Sequence, residues 1–150
     1  MDTDALRAFV AEAHRNGYAT SEPDVDDEAA GKRIRYADGE WEYLDRYVGG
    51  RRFVGHEVVR RDGAPVWGMH YYGAPTEETV DVDALYAFLR EALEAASAEH
   101  PFRGPLQYAS EPWTYECAYD GDIERCRGTE QIERDGAIVY RGEFGGGLVE

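Results

Sequence analysis

"GHEVVRRDGAPVW", residues 55–67, is answered by "GTEQIERDGAIVY", residues 128–140. The two stretches share a glycine, a glutamate and an Arg-Asp-Gly turn at the same spacing, and the echo extends to either side. Residues 2–13, DTDALRAFVAEA, align with 81–92, DVDALYAFLREA, at eight of twelve positions. Trp41 and Tyr43 answer Trp113 and Tyr115, and Tyr47 answers Tyr119. The offset drifts from 79 to 72 to 73, so the differences fall in connecting loops. An order this long points to an internal duplication, with pseudo-repeats of about 2–73 and 81–146 inside a single domain of residues 1–150.

Each repeat has a local reading. Leu6, Phe9, Val10 and Ala13 recur at helical spacing, as do Leu85, Leu89, Ala92, Leu93 and Ala96. Asn16-Gly17 reads as a helix stop. Trp41, Tyr43, Asp45 and Tyr47 then alternate with Glu42, Leu44 and Arg46, which is strand period. Gly49-Gly50 and Gly121-Asp122 mark the first hairpin turns, and the two Asp-Gly pairs mark the second. Tyr36-Ala37 and Tyr108-Ala109 add an edge strand to each unit. The expected fold is α+β, a helix-plus-antiparallel-meander unit (αβββ) used twice, with two helices on an antiparallel sheet of six to eight strands.

Registering the hairpins predicts which side chains share a face. Centring the second hairpin on Asp62-Gly63 pairs Val59 with Val66, Glu57 with Gly68 and Gly55 with His70. Alignment of the repeats sets Tyr43 beside Gly55 and Trp41 beside Glu57. One face then carries Trp41, Tyr43, Asp45, Phe53, Glu57, His70 and Tyr72. The opposite face carries Val54, Val58, Trp67, Met69 and Tyr71. In the second repeat the same logic sets Cys117 opposite Cys126, and Tyr115 beside Gly128 and Glu143. It also sets Glu130 beside Trp113 and Arg141.

Two readings fit that face. In one it is scaffold: tyrosine covers bare glycine backbone, tryptophan donates to the neighbouring carboxylate, and Glu130–Arg141 is a cross-strand ion pair. In the other it is a site, because Glu57 has a glycine beside it where Glu130 has an arginine. His70 and Asp45, which are not repeated, lie in the same patch. The candidate residues are therefore Glu57, His70, Asp45 and Tyr43, with Trp41 and Tyr72 as walls. Arg103, in the rigid segment His100-Pro-Phe-Arg-Gly-Pro105, is placed to reach an anion or a buried carboxylate.

Composition limits the partners. Thirty-one acidic residues face sixteen basic ones, for a net charge of −15, and Lys32 is the one lysine. An acid-rich, lysine-poor chain suits molar salt, so the acidity speaks of the solvent rather than of a basic partner. Phosphate backbones need Lys/Arg clusters, which argues against direct nucleic-acid binding. No apolar run approaches the roughly 20 residues of a membrane span. The start, MDTDALRAFV, is acidic where a secretory signal is basic. These features predict a soluble, cytoplasmic protein. In that compartment Cys117 and Cys126 are expected as free thiols, although the predicted register also allows a bridge. The acidic segment 20–30 reads as a loop.

"YLDRYVGGRRFVGHEVV", "VWGMHYYG", "PFRGP" and the closing "YDGD…G-x-E-x-I…GG" resemble an uncharacterised domain family of archaea and bacteria. Its members occur alone or behind a helix-turn-helix of the Xre type. The resemblance covers about residues 5–147 and implies a domain able to sense an effector. It also implies an asparagine where this chain has His70. It carries over no functional residues.

No phosphate loop, dinucleotide fingerprint or Gly-x-Ser-x-Gly elbow is present. His14, His56, His70 and His100 lack metal-ligand spacing, so neither metal nor cofactor is implied. Three functions remain open. The first is a small-molecule effector domain with an aromatic and carboxylate pocket on the sheet. The second is an acid/base enzyme using Glu57 as base with His70 or Tyr43 as acid. The third is an interaction or self-association module, monomer or homodimer, meeting its partner through the Trp67 face.

Overall fold

The structure, a computed structural model, describes residues 1–20, 23–26 and 30–149. Helix α1 spans Thr3–Thr20. The Asp2 carboxylate starts it by accepting the backbone N–H groups of Asp4 and Ala5, both at 3.1 Å. Helix α2 spans Val82–Glu94, and Asp81 caps it in the same way through Asp83 and Ala84. The expected stop at Asn16-Gly17 does not occur. Asn16 donates its amide to the Glu12 carbonyl at 2.9 Å, one turn back, and the helix runs on. Gly17 serves contact rather than termination: a Cβ there would lie 3.0 Å from the Ile34 side chain.

The strands are β1 (Asp24–Asp26), β2 (Gly31–Asp38), β3 (Trp41–Gly49), β4 (Phe53–Arg61), β5 (Ala64–Pro75), β6 (Gln107–Ser110), β7 (Trp113–Gly121), β8 (Arg125–Arg134) and β9 (Ala137–Leu148). They form one antiparallel sheet in the order β1-β2-β3-β4-β5-β9-β8-β7-β6. The fold is α+β, with nine strands among the described residues rather than six to eight. The additional strand, β1, lies in the acidic segment read as a loop; it pairs through backbone groups, which composition does not report. Residues 21–22 and 27–29 of that segment lie outside the described residues.

Both helices cover the same face of the sheet and pack on each other, α1 over β2 and β3, α2 over β6 and β7. Phe9 stacks on Trp41 at 5.5 Å, Arg61 lies over that indole at 5.1 Å, and the Tyr36 hydroxyl donates to Glu12 at 2.9 Å. Under α2, Phe88 stacks on Trp113 at 5.7 Å, Arg134 lies over it at 5.0 Å, and Tyr108 donates to Glu91 at 2.6 Å. Burial of these rings, each contributing on the order of 2–3 kcal/mol, fixes the helices to the sheet.

The register differs from the expectation in two ways. Tyr43 lies opposite Val59, Asp45 opposite Glu57, and Trp41 opposite Arg61. That is a shift of four residues, an even number, so Trp41, Tyr43, Asp45, Phe53 and Glu57 still share a face. Between β4 and β5 the Asp62-Gly63 turn is where it was expected, with φ of 51° and 78°. A bulge follows immediately, and Val59 pairs with Trp67 instead of Val66. One extra residue exchanges the faces of β5. Trp67, Met69 and Tyr71 are therefore buried under the helices, while His70 and Tyr72 lie exposed on the open face. The β8–β9 hairpin carries the matching bulge, which pairs Ile132 with Tyr140. Each bulge lets two consecutive apolar residues, Val66–Trp67 and Val139–Tyr140, meet the core.

Candidate functional site

Among the described residues, the helix-covered face buries His14, Asp45, Glu57, Arg103 and Glu130, side chains that carry or can carry a charge near neutral pH. Such groups stay buried only when paired, because an isolated charge in the interior costs several kcal/mol. Their pairing defines the site.

Glu130, on β8, is held from three directions. Arg103 donates Nη2 to Oε1 at 2.9 Å and Nε to Oε2 at 3.3 Å. The Tyr115 hydroxyl donates to Oε2 and the Tyr140 hydroxyl to Oε1, each at 2.8 Å. Tyr115 in turn accepts the Gly104 N–H at 3.1 Å, which ties down the loop that carries Arg103. Burial would raise the Glu130 pKa, but the Arg103 charge and the three donors outweigh it and hold the carboxyl below its ordinary value. The Glu130–Arg141 pair is thus replaced by Glu130–Arg103. In the true register Arg141 lies opposite Gln131, one residue along from Glu130, whose side chain points to the other face.

Glu57, the matching glutamate on β4, meets His14 of α1: Nε2 and Oε2 are 2.7 Å apart, and both side chains are fully buried. Beside it, the Tyr71 hydroxyl donates to Asp45 at 2.6 Å. This bond spans three strands. Tyr71 on β5 lies across Gly55 on β4 to reach Asp45 on β3, and any Cβ at Gly55 would stand 2.5 Å from the Tyr71 hydroxyl oxygen. The tyrosine over bare glycine is therefore Tyr71, not Tyr43. Tyr43 instead meets the His14 ring edge-on at 5.7 Å. Burial and the Asp45 carboxylate push the Tyr71 phenol well above its ordinary pKa, so it remains a donor.

Arg103 also lies over the Tyr71 ring at 4.8 Å and so joins the two halves of the network. Tyr71 and Arg103 face a half-open recess of about 500 Å³ lined by residues of β2, β3, β4, β5 and α2. Its walls are aromatic, from Tyr47, Phe53 and Tyr86, and Lys32, Arg90 and Asp83 supply charge. The size suits a small organic molecule. The corresponding space in the second half is filled: Tyr119 and Phe144, at the positions matching Tyr47 and Tyr71, hold the buried Phe102 at 4.8 Å and 6.5 Å.

The structure brings Tyr43, Asp45, Glu57 and Arg103 to one buried network and sets Trp41 at its edge. It places His70 and Tyr72 on the opposite side of the sheet, where His70 borders a shallow depression with Arg127 and Glu143. Trp41 meets Phe9 and Arg61 rather than Glu57. Sequence reasoning passed over His14, because no spacing motif marks a single histidine that pairs across 43 residues. It set Tyr71 on the wrong face, and only the bulge reveals its place. Lys32, Tyr47, Phe53, Tyr86 and Arg90 gather only once α2 docks.

Cys117 faces Glu130 across the strands, and Cys126 faces Gly121, so the expected opposition of the two thiols does not arise. Both are free and buried. Burial, with Glu130 nearby, pushes the Cys117 thiol up to about 12, and burial pushes Cys126 up to about 11. Neither is a thiolate at neutral pH. Among the described residues no group of three His, Cys, Asp or Glu side chains is placed to hold a metal ion, and no helix is long and apolar enough to cross a membrane.

A family model described as "Domain of unknown function (DUF5680)" matches residues 45–149, more than half of the chain, and the chain belongs to that family. The match takes in Asp45, Glu57, Tyr71, Arg103 and Glu130 and leaves out His14. No curated protein and no solved structure significantly matches the chain.

Proposed function

For this member of a family without an assigned activity, we propose that the domain binds a small organic molecule in the cavity between β2–β4 and α2. The observation that carries the reading is the asymmetry between the two halves. Phe102 fills one aromatic recess, whereas the matching recess is open over Tyr71 and Arg103. Tyr71 and Arg103 would touch the ligand, while Asp45, Glu57 and Glu130 act through them by fixing their positions. The matched contacts of Phe9 with Trp41 and of Phe88 with Trp113 support the further reading that one αβββ unit was duplicated and one copy kept its recess. A soluble effector domain of the cytoplasm, acidic because it works in high salt, fits the composition.

The geometry favours binding over acid/base catalysis. Glu57 is fully buried beneath α1 and engaged by His14, and His70 lies on the far face of the sheet. An interaction surface would have to use the open face, where Val54 and Tyr72 are exposed, since Trp67, Met69 and Tyr71 are in the core.

A thermal-shift screen in molar potassium chloride, with a panel of metabolites and nucleotides, tests the reading on wild type and Gly50→Trp together. Gly50 lines the cavity and has open space around its would-be Cβ, so a large side chain there blocks the recess without a clash at its base. A compound that raises the melting temperature of wild type but not of Gly50→Trp is the expected result. A panel that shifts neither protein, or both equally, would sink the proposal.

A further inference from the structure

The charges at the cavity run against those of the molecule. The chain carries 31 acidic residues against 16 basic ones, yet the described lining residues include Lys32, Arg90 and Arg103 and one carboxylate, Asp83. Arg103 is committed to Glu130. Lys32 and Arg90 are exposed, and among the described residues neither is paired with a carboxylate. Arg90 lies near enough to the Tyr47 phenol to act against the upward shift in its pKa that burial and Asp45 produce. Lys32 is the single lysine of the chain and stands on β2 at the same recess.

Two cations at the mouth and aromatic rings within describe one ligand chemistry. From these residues we propose that the cavity selects a planar organic anion, its acid group held by Lys32 and Arg90 and its ring system packed among Tyr47, Phe53 and Tyr86. This rests on the cavity being a ligand site. Asp83 stands on the same face of α2 as Arg90, two helical turns away, about 10 Å along the axis. It repels a second negative charge and so limits the acid group to the Lys32–Arg90 end.

Fluorescence titration separates this inference from the reading beneath it. The probes are anilinonaphthalene sulfonate, an anion built on a flat naphthalene ring, and phenylnaphthylamine, its uncharged analogue, added to the full chain at a salt concentration where near-UV circular dichroism reports the native fold. The anion is expected to bind one to one and more tightly than the neutral compound. Lys32→Glu and Arg90→Glu should each weaken the anion about fivefold, the scale of an exposed charge contact, and leave the neutral probe unchanged. Asp83→Asn should strengthen the anion about twofold. Equal affinity for the two probes, or charge reversals without effect, would overturn the anion preference while leaving a ligand site in place. Loss of anion affinity in Asp83→Asn would overturn it in favour of a zwitterion. Binding of neither probe would remove the site itself, and the preference with it.

Discussion

Glu57 and Glu130 occupy the same position in two similar hairpins, and their companions differ throughout. Glu130 has an arginine and two tyrosines, all donors, and its surroundings are packed shut by Phe102. Glu57 has a histidine, and its neighbours Asp45 and Tyr71 border an open recess. The paired exchange is informative. Where the first half has Asp45 bonded to Tyr71, the second half has Cys117 and Phe144 at the matching positions, so the carboxylate and the hydroxyl are lost together. A buried carboxylate that gives up a hydrogen bond is costly, and a buried phenol with nothing to donate to is little better, so loss of one partner alone is penalised. One half is packed shut around Phe102, and the other keeps an open recess beside Tyr71.

This contrast can be broken most forcefully at Arg103. Arg103→Ala leaves Glu130 buried without its cation and is expected to cost about 3–5 kcal/mol, measured by denaturant unfolding at fixed salt. A loss no larger than that of a surface arginine such as Arg134→Ala would show that Glu130 does not depend on the pair. Next comes a direct comparison of the two glutamates. Glu130→Gln should destabilise by at least about 1 kcal/mol more than Glu57→Gln, because an arginine needs its counter-charge and a histidine accepts a neutral partner. Equal costs would make both carboxylates the same kind of scaffold and remove the asymmetry.

Tyr71→Phe should cost about 1–3 kcal/mol, since Asp45 loses the buried Tyr71 hydroxyl bond. Adding Asp45→Cys installs the second half's pair in the first half, and the double variant should recover at least half of that loss. Strict additivity in this double-mutant cycle would mean the two positions are not coupled. The smallest effect is one of pH. The folded-state pKa of Glu130 lies below its unfolded value of about 4.5, so the unfolded chain binds its proton first as pH falls. Its contribution to stability is complete above the unfolded pKa and is lost as pH drops through the lowered one. Glu130→Gln should therefore flatten the acid limb of the stability curve below pH 4.5, and an unchanged slope would show that another carboxylate sets it.

Much of the fold was legible because it is local. The alternation along Trp41–Tyr47 and the Asp-Gly turns each depend on a few adjacent residues, and both form where they were expected. The faces of β3 and β4 also held, since an even shift in register cannot exchange them. What failed was non-local. The single bulged residue after the Asp62-Gly63 turn carried His70 and Tyr72 out of the candidate site and Tyr71 into it, and no residue type in the turn signals that bulge. Gly17 looked like a helix end because its reason for being small lies on another strand, at Ile34. Arg103 was legible as an arginine able to reach a buried carboxylate, but its partner was not: Glu130 was expected to meet Arg141, and only the register shows Arg141 opposite Gln131 and leaves Glu130 to Arg103.

The meeting of β5 with β9 at the centre of the sheet has a consequence for how the chain is made. Its pairs run from Pro75↔Tyr140 to Trp67↔Leu148, joining residues 65 to 81 positions apart. The first hairpins leave the ribosome long before their central neighbour exists. Until β9 is synthesised, β5 presents an unpaired edge that carries Trp67, Met69 and Tyr71, the kind of strand to which other chains add. Nascent copies on one message hold such edges in close company. In the finished protein that same strand lies at the middle of the sheet, paired on both sides, so the exposure is confined to the time before β9 arrives.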